Sequence, residues 1–211
     1  GSLTSTVQTN PEVGISIATF NVPTQANFSF GHGLGSVPEM FWWKSRTNTQ
    51  NWIVYHPSKT TSVPGSPGLN NSLAGFATGG SWITELSSTR IAITDGKVSS
   101  GSNRDNVVYS FKSVEGFSKI GSYTGNGTTD GTFVFTGFRP AWVIIKRIDG
   151  IGEWFILDNK RIGYNGANYR LLANDTLVEY SGSNSNIVDF LSNGFKCRTT
   201  STNTNGNNDT Y

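Results

Sequence analysis

Laid on itself at a constant offset of 102, this chain repeats: Gly14 to Tyr109 falls on Gly116 to Tyr211. The overlay matches Gly14 with Gly116, Ser16 with Ser118, Gly35 with Gly137, Pro38 with Pro140, and Lys44 with Lys146. It also matches Trp52 with Trp154, Asn106 with Asn208, and Tyr109 with Tyr211. Between the identities the character agrees, PEMFWWK facing PAWVIIK and NWIVYH facing EWFILD. A fixed internal period restricts the fold to one structural unit used twice. The expected organisation is a linker over 1–13, a first repeat over 14–113 and a second over 114–211, its last strand cut short. Residues 57 to 95 align poorly with 159 to 197, which makes Pro57 to Gly80 and Gly163 to Ser185 the variable loops.

Each repeat reads as short strands separated by turns. The first is predicted to hold strands near Ile15–Phe20, Phe28–Phe30, Glu39–Lys44, Trp52–His56, Trp82–Glu85, Arg90–Thr94 and Val107–Phe111. In the second they fall near Phe117–Tyr123, Thr132–Thr136, Trp142–Arg147, Trp154–Leu157, Ile187–Leu191 and Phe195–Arg198, with a last one from Tyr211 onward. Met40 to Trp43 and Trp142 to Ile145 are apolar on both faces, as central strands covered from two sides are. The predicted class is all-β: two tandem antiparallel β-sandwich units, with one sandwich sharing a single core as the alternative. Only Gly166 to Leu172 reads as mildly helical, and it is short for a free-standing helix. In the first repeat VVYSF runs on past Tyr109, whereas Tyr211 stands where its counterpart begins. The expectation is a piece of a longer protein, or a last strand supplied elsewhere.

Composition agrees with this class. Ser, Thr and Asn make up about a third of the chain and favour turns and strand faces over helix interiors. Charged residues are only 14%, and the net charge is +2, too small a footprint for a phosphate-backbone binder, so no nucleic acid is expected as a partner. No window is long and apolar enough for a membrane-spanning helix, so no membrane insertion is expected. The single Cys197 has no disulfide partner within the chain and reads as a small core residue.

Chemistry-bearing residues are sparse. His32 lies in a glycine-rich turn and His56 ends a strand, and neither recurs in the second repeat, so both read as structural. Glu85, Asp95, Glu153, Asp158 and Asp189 supply carboxylates but none sits in a recognisable hydrolase context. TGNGTTDG and SNRDN are rich in oxygen donors yet lack the acidic spacing of a calcium loop, and read as β-turns. GHGLG has neither the lysine nor the helix of a phosphate loop. No catalytic residue, metal or cofactor is expected. Lys146-Arg147 and Lys160-Arg161 read as solvated edges. Trp52 and Trp154, which recur, read as a core tryptophan in each repeat. Trp82, Tyr164 and Tyr169 lie in the variable segments among Asn, Ser and Thr, a composition that stacks on sugars and bonds their hydroxyls; these three are the candidate ligand-binding residues.

The motifs GSLTSTVQTNPEVGISI, GHGLGSVPEMFWWK with NWIVYH, and GFSKIGSYTGNGTTDGTFVFTGFRPAWVIIKR with LSNGFK resemble repeat modules of bacteriophage tail-fibre and virion structural proteins. The resemblance covers nearly the whole chain and departs from the pattern at Trp42-Trp43, where aliphatic residues are usual. It implies concanavalin-like or jelly-roll β modules and a non-enzymatic virion protein on a tail fibre or the capsid surface. It also implies other virion subunits as partners, assembly as a homo-oligomer, and attachment to a host cell-surface glycan. The rival readings are a purely structural spacer or decoration protein, a polysaccharide depolymerase, and a cellular carbohydrate-binding module.

Overall fold

A computed structural model describes residues 1–23, 27–57, 68–70, 72, 82–94, 103–161, 165–166, 169–180 and 187–211. Fourteen strands and no helix are found among them. The chain is all-β, and every strand pairing is antiparallel. It divides into two compact units, Gly1–Gly68 with Phe76–Ile120, and Leu69–Gly75 with Gly121–Tyr211.

Unit 1 contains β1 (Thr6–Asn10), β2 (Ile15–Val22), β3 (Phe28–Gly31), β4 (Met40–Ser45), β5 (Ile53–Tyr55), β6 (Ile83–Leu86), β7 (Arg90–Ile93) and β8 (Arg104–Phe111). They form a five-stranded sheet in the order β1-β2-β8-β4-β5 and a three-stranded sheet β3-β7-β6. The two-residue alternation of ISIATFNV determines which face of β2 is covered. Ala18, Phe20 and Val22 are buried while Ile15, Ile17 and Thr19 are half-buried on the opposite face. The buried set joins Phe41, Trp43, Ile53 and Val108 of the same sheet with Phe28, Phe30, Ile91 and Ile93 of the other, and with Trp82. Two sheets closing on one core make the unit sandwich-like. Phe20 and Phe30 stack at 4.1 Å, and Trp43 meets both edge-on at 5.4 Å. The Trp43 indole donates to Asn106 Oδ1 at 3.0 Å, so the one polar atom of the largest core side chain is satisfied.

Unit 2 contains β9 (Phe133–Phe135), β10 (Trp142–Lys146), β11 (Trp154–Asp158), β12 (Leu171–Leu172), β13 (Val188–Leu191) and β14 (Gly194–Cys197). Its sheets are β10-β11-β12 and β13-β14-β9, and its core gathers Ile145, Phe155, Leu157, Val188, Phe190, Phe195, Cys197 and Tyr211. The order β13-β14-β9 repeats β6-β7-β3, and β10-β11 repeats β4-β5. Gly14 and Gly116, and Gly35 and Gly137, all adopt the left-handed backbone (φ +72°, +74°, +74° and +86°), so a side chain at any of the four is strained.

Several expectations are corrected. The segment read as a linker carries β1, whose polar TVQTN pairs with β2 from Thr6↔Thr19 to Asn10↔Ile15; an edge strand needs backbone partners more than apolar side chains. Phe117 to Tyr123 forms no strand, only a bridge at Val114↔Ser118 and main-chain bonds from Tyr123 to Tyr211. The stretch read as mildly helical instead contains β12 and a bridge Arg170↔Tyr180. Trp154 is buried as expected of a core tryptophan, but Trp52 is half-buried against Tyr109.

Candidate functional site

The outward face of the five-stranded sheet carries a row of polar side chains at one end. Thr6 of β1 is paired with Thr19 of β2, and Asn21 of β2 with Asp105 of β8. Because residues two apart on a strand share a face, Thr19 and Asn21 lie on one side while Phe20 between them points into the core. With Thr4, Arg46 and Phe20 these residues line a shallow open groove of about 230 Å³. The Asn21 amide donates to Asp105 Oδ1 at 2.9 Å, and the Arg46 main-chain N–H donates to the Asp105 carbonyl at 2.7 Å. Asn21, Arg46 and Asp105 are exposed. The lining offers hydroxyls that donate and accept, an amide, a guanidinium and a carboxylate, an inventory suited to a polyhydroxylated ligand.

Further along the same face the side chains turn aromatic. Tyr109 and Phe111 of β8 share the parity of Asp105, and Trp42 of β4 stands opposite Tyr109. Trp52 packs on Tyr109 with ring centroids 6.1 Å apart and Trp42 on Phe111 at 4.8 Å. All four rings are half-buried, leaving part of each accessible. Four steps along the extended chain take Asp105 to Tyr109, a span of about 13 Å.

The residues singled out from sequence go elsewhere. Trp82 is 6% exposed and meets Phe41 edge-on at 6.2 Å inside the unit 1 core, so it packs and presents no ring to a ligand. Tyr169 is half-buried in unit 2, next to Arg170, whose guanidinium lies 3.9 Å from the Tyr180 ring centroid and 4.8 Å from that of Phe155. Tyr164, most of the loop Pro57 to Gly80 and part of the loop Gly163 to Ser185 lie outside the described residues.

The carboxylates named above are engaged. Glu85 takes a two-pronged bond from Arg90 (2.8 and 2.5 Å), Asp158 pairs with Arg161 at 2.6 Å and Asp189 with Arg198 at 2.6 Å. Glu153 accepts from Asn174, and Asp95 lies outside the described residues. The turn TGNGTTDG closes on itself, Asn126 accepting from Thr128 N–H at 3.1 Å and donating to the Asp130 carbonyl at 3.0 Å. Among the described residues no three His, Cys, Asp or Glu side chains gather to hold a metal ion. Lys146, read as a solvated edge, is buried and donates to the carbonyls of Gly152 (2.8 Å) and Ser72 (3.3 Å). Arg147 pairs with Asp149 and Asp209, and Arg161 with Glu179 as well as Asp158.

Both histidines are buried. His32 Nε2 lies 3.0 Å from the Ser87 carbonyl and its Nδ1 accepts from Leu34 N–H at 3.1 Å, which fixes the neutral ring with its proton on Nε2. Burial holds the His32 imidazole below its ordinary range, against a smaller opposing pull from that carbonyl. Burial likewise lowers His56, outweighing the attraction of Glu39.

Fold and face together define a β-sandwich-like module with a polar and aromatic sheet surface. The family model described as "Domain of unknown function (DUF7483)" matches residues 1–211, and the chain belongs to that family. No curated protein and no solved structure matches the chain.

Proposed function

We propose that this protein is a structural module of a bacteriophage virion, displayed on a tail fibre or the capsid surface, and that it contributes to attachment by binding host surface glycans. The observation that carries the binding reading is the outward face of the five-stranded sheet, with Thr6, Thr19, Asn21, Arg46 and Asp105 at one end and the rings of Trp52 and Tyr109 about 13 Å further along it, a spacing that suits an oligosaccharide rather than a single sugar. Sugars are recognised by such pairs of surfaces: rings stack on the apolar side of a pyranose while amides and carboxylates bond its hydroxyls. The resemblance of the GHGLGSVPEMFWWK and GTFVFTGFRPAWVIIKR motifs to virion repeat modules supplies the setting. A shallow open groove holds one sugar weakly, and many copies on one particle multiply that affinity. The copies assemble about a symmetry axis, as most homo-oligomers do.

Binding without turnover is favoured because the groove is lined by a single carboxylate, Asp105, whereas glycoside hydrolysis takes two flanking the bond. We also read the two units as products of an internal duplication, a reading supported by their matching strand order and by the left-handed glycines at positions 102 apart.

The test is binding of the 211-residue protein, made multivalent, to a panel of bacterial surface glycans and to whole cells, with Asn21→Ala and Asp105→Ala alongside. Saturable binding weakened about tenfold by either substitution is expected. A uniform absence of binding transfers weight to the second reading, a spacer or decoration subunit. That reading is favoured by the exposed apolar side chains of unit 2, among them Phe133, Phe135, Leu177 and Val178.

A further inference from the structure

One arginine of unit 2 stands apart from its neighbours. Arg147, Arg161 and Arg198 each pair with a carboxylate, whereas the half-buried Arg170 guanidinium meets none among the described residues. It lies instead 3.9 Å from the Tyr180 ring centroid and 4.8 Å from that of Phe155, and its buried Nε donates to no acceptor among the described residues. The two acids of the segment between Arg170 and Tyr180 are engaged elsewhere: Glu179 pairs with Arg161 at 2.8 Å, and Asp175 Oδ1 accepts from the Leu177 N–H at 3.1 Å. The flanking sequence, 162–168 and 181–187, contains no Asp or Glu. Burial pulls the guanidinium below its ordinary range, a direction that a bound carboxylate reverses.

The segment that carries this arginine is held in place. Arg170 and Tyr180 exchange main-chain bonds at 3.3 and 3.1 Å, and residues directly opposite in an antiparallel pair share a face, which brings guanidinium and ring together. Ala173 N–H donates to the Trp154 carbonyl at 3.2 Å and Asn174 Oδ1 accepts from the Trp154 N–H at 2.8 Å, tying the turn to β11. Onto this fixed hairpin the chain sets exposed apolar groups: Leu177 is 65% exposed, Val178 87% and Tyr180 47%. Exposed aliphatic side chains beside a Tyr and an Arg have the composition of interface centres, and their preset geometry lowers the ordering cost of binding. The unanswered charge selects the partner. A purely apolar segment would seal a cation away without compensation, whereas a carboxylate meets the guanidinium with strong, directional hydrogen bonds.

We propose that the hairpin from Arg170 to Tyr180 is a docking site for a segment of a partner protein in which an Asp or Glu stands between apolar residues. The carboxylate takes the Arg170 guanidinium, and the flanking apolar side chains cover Leu177, Val178 and the Tyr180 ring. The site belongs to unit 2 and does not rest on sugar binding by unit 1.

The probe is an array of end-blocked pentapeptides with Asp or Glu at the centre, Leu, Val, Phe or Tyr on either side of it and Ser at both ends, read against the full 211-residue protein. A matched array carries Asn or Gln at the centre. Saturable binding by a subset of the acidic peptides is expected, about tenfold weaker after the amide replacement, with NMR shifts at Leu177, Val178 and Tyr180. Arg170→Met keeps a side chain against the two rings and removes the charge. Val178→Asp sets a repelling charge at an exposed position, where the urea midpoint is expected to stay unchanged. Each variant is expected to weaken the best peptide about tenfold. Absence of binding to the acidic array, equal binding of the amide array, or undiminished binding by Val178→Asp overturns the proposal. So does a stronger response of the same residues to polygalacturonate, which makes an acidic polysaccharide the occupant.

Discussion

Tyr123 and Tyr211 stack with ring centroids 5.0 Å apart and interplanar angle 19°, while their main chains exchange two hydrogen bonds. Their hydroxyls then tie the pair to the preceding turn: Tyr123 donates to the Thr204 carbonyl at 2.7 Å, and Tyr211 donates to that of Thr202 at 2.9 Å. Burial pushes the Tyr211 hydroxyl up to about 12 and that of Tyr123 well above its ordinary range, so both stay protonated donors. Tyr211→Ala is expected to destabilise the protein by about 3–5 kcal/mol, the cost of an aromatic-to-alanine change in a core. Urea denaturation checks this, and a loss under 1 kcal/mol contradicts the anchoring role.

Trp82 is a packing residue, so its substitution is predicted to cost stability and leave binding alone. Trp82→Ala should lower unfolding free energy by about 3–5 kcal/mol. Tyr169→Ala, at a half-buried position, should cost about 1 kcal/mol or less. Denaturation midpoints of the two variants, read beside their glycan binding, separate the roles.

The buried histidines make stability depend on pH. In the unfolded chain an imidazole takes up its proton as pH falls through about 6.5, whereas burial keeps folded His32 and His56 neutral to lower pH. The unfolded state therefore binds more protons in that window, and stability falls as pH drops below it. His32→Asn retains an acceptor for Leu34 N–H and is predicted to flatten the dependence. Unfolding curves at pH 7.5 and 5.5 that respond identically in wild type and variant would count against it.

Cys197 is sealed. Its thiol lies 3.6 Å from the Thr204 carbonyl and 3.9 Å from the Tyr123 hydroxyl, and burial raises it to about 11. The thiolate is the reactive form, so a thiol reagent at pH 8 should label the native protein far more slowly than the urea-unfolded chain. Equal rates would place the thiol at the surface.

Much of this architecture is legible in the residues. The strand Met40–Ser45 announces itself because Met40 to Trp43 are apolar on both faces, and β2 and β8 through the runs Ile15–Phe20 and Val107–Phe111, which read as strands between turns. β1 is hidden because TVQTN gains its strand state from main-chain pairing with β2, for which side chains leave no mark. The same limit applies to Trp82, which reads as the start of a strand in a variable segment while its neighbours in space are core rings. The groove is harder still: Thr6, Thr19, Asn21, Arg46 and Asp105 are ordinary polar residues scattered along the chain, joined only by strand register. One local signal existed. In ISIATFNV the outward positions change from isoleucine to Thr19 and Asn21, marking where the apolar face gives way to a polar one.

The most direct measurement is a residue-resolved NMR titration of the 211-residue protein with whichever bacterial surface oligosaccharide gives the strongest signal in the binding panel. Saturable shifts are expected at Thr19, Asn21, Arg46, Asp105 and the ring neighbours Trp52 and Tyr109 and nowhere else, with the affinity about tenfold weaker in Asp105→Ala. Shifts that map to any other surface, or none at concentrations where the multivalent protein holds cells, would contradict the assignment of this sheet face as the glycan site.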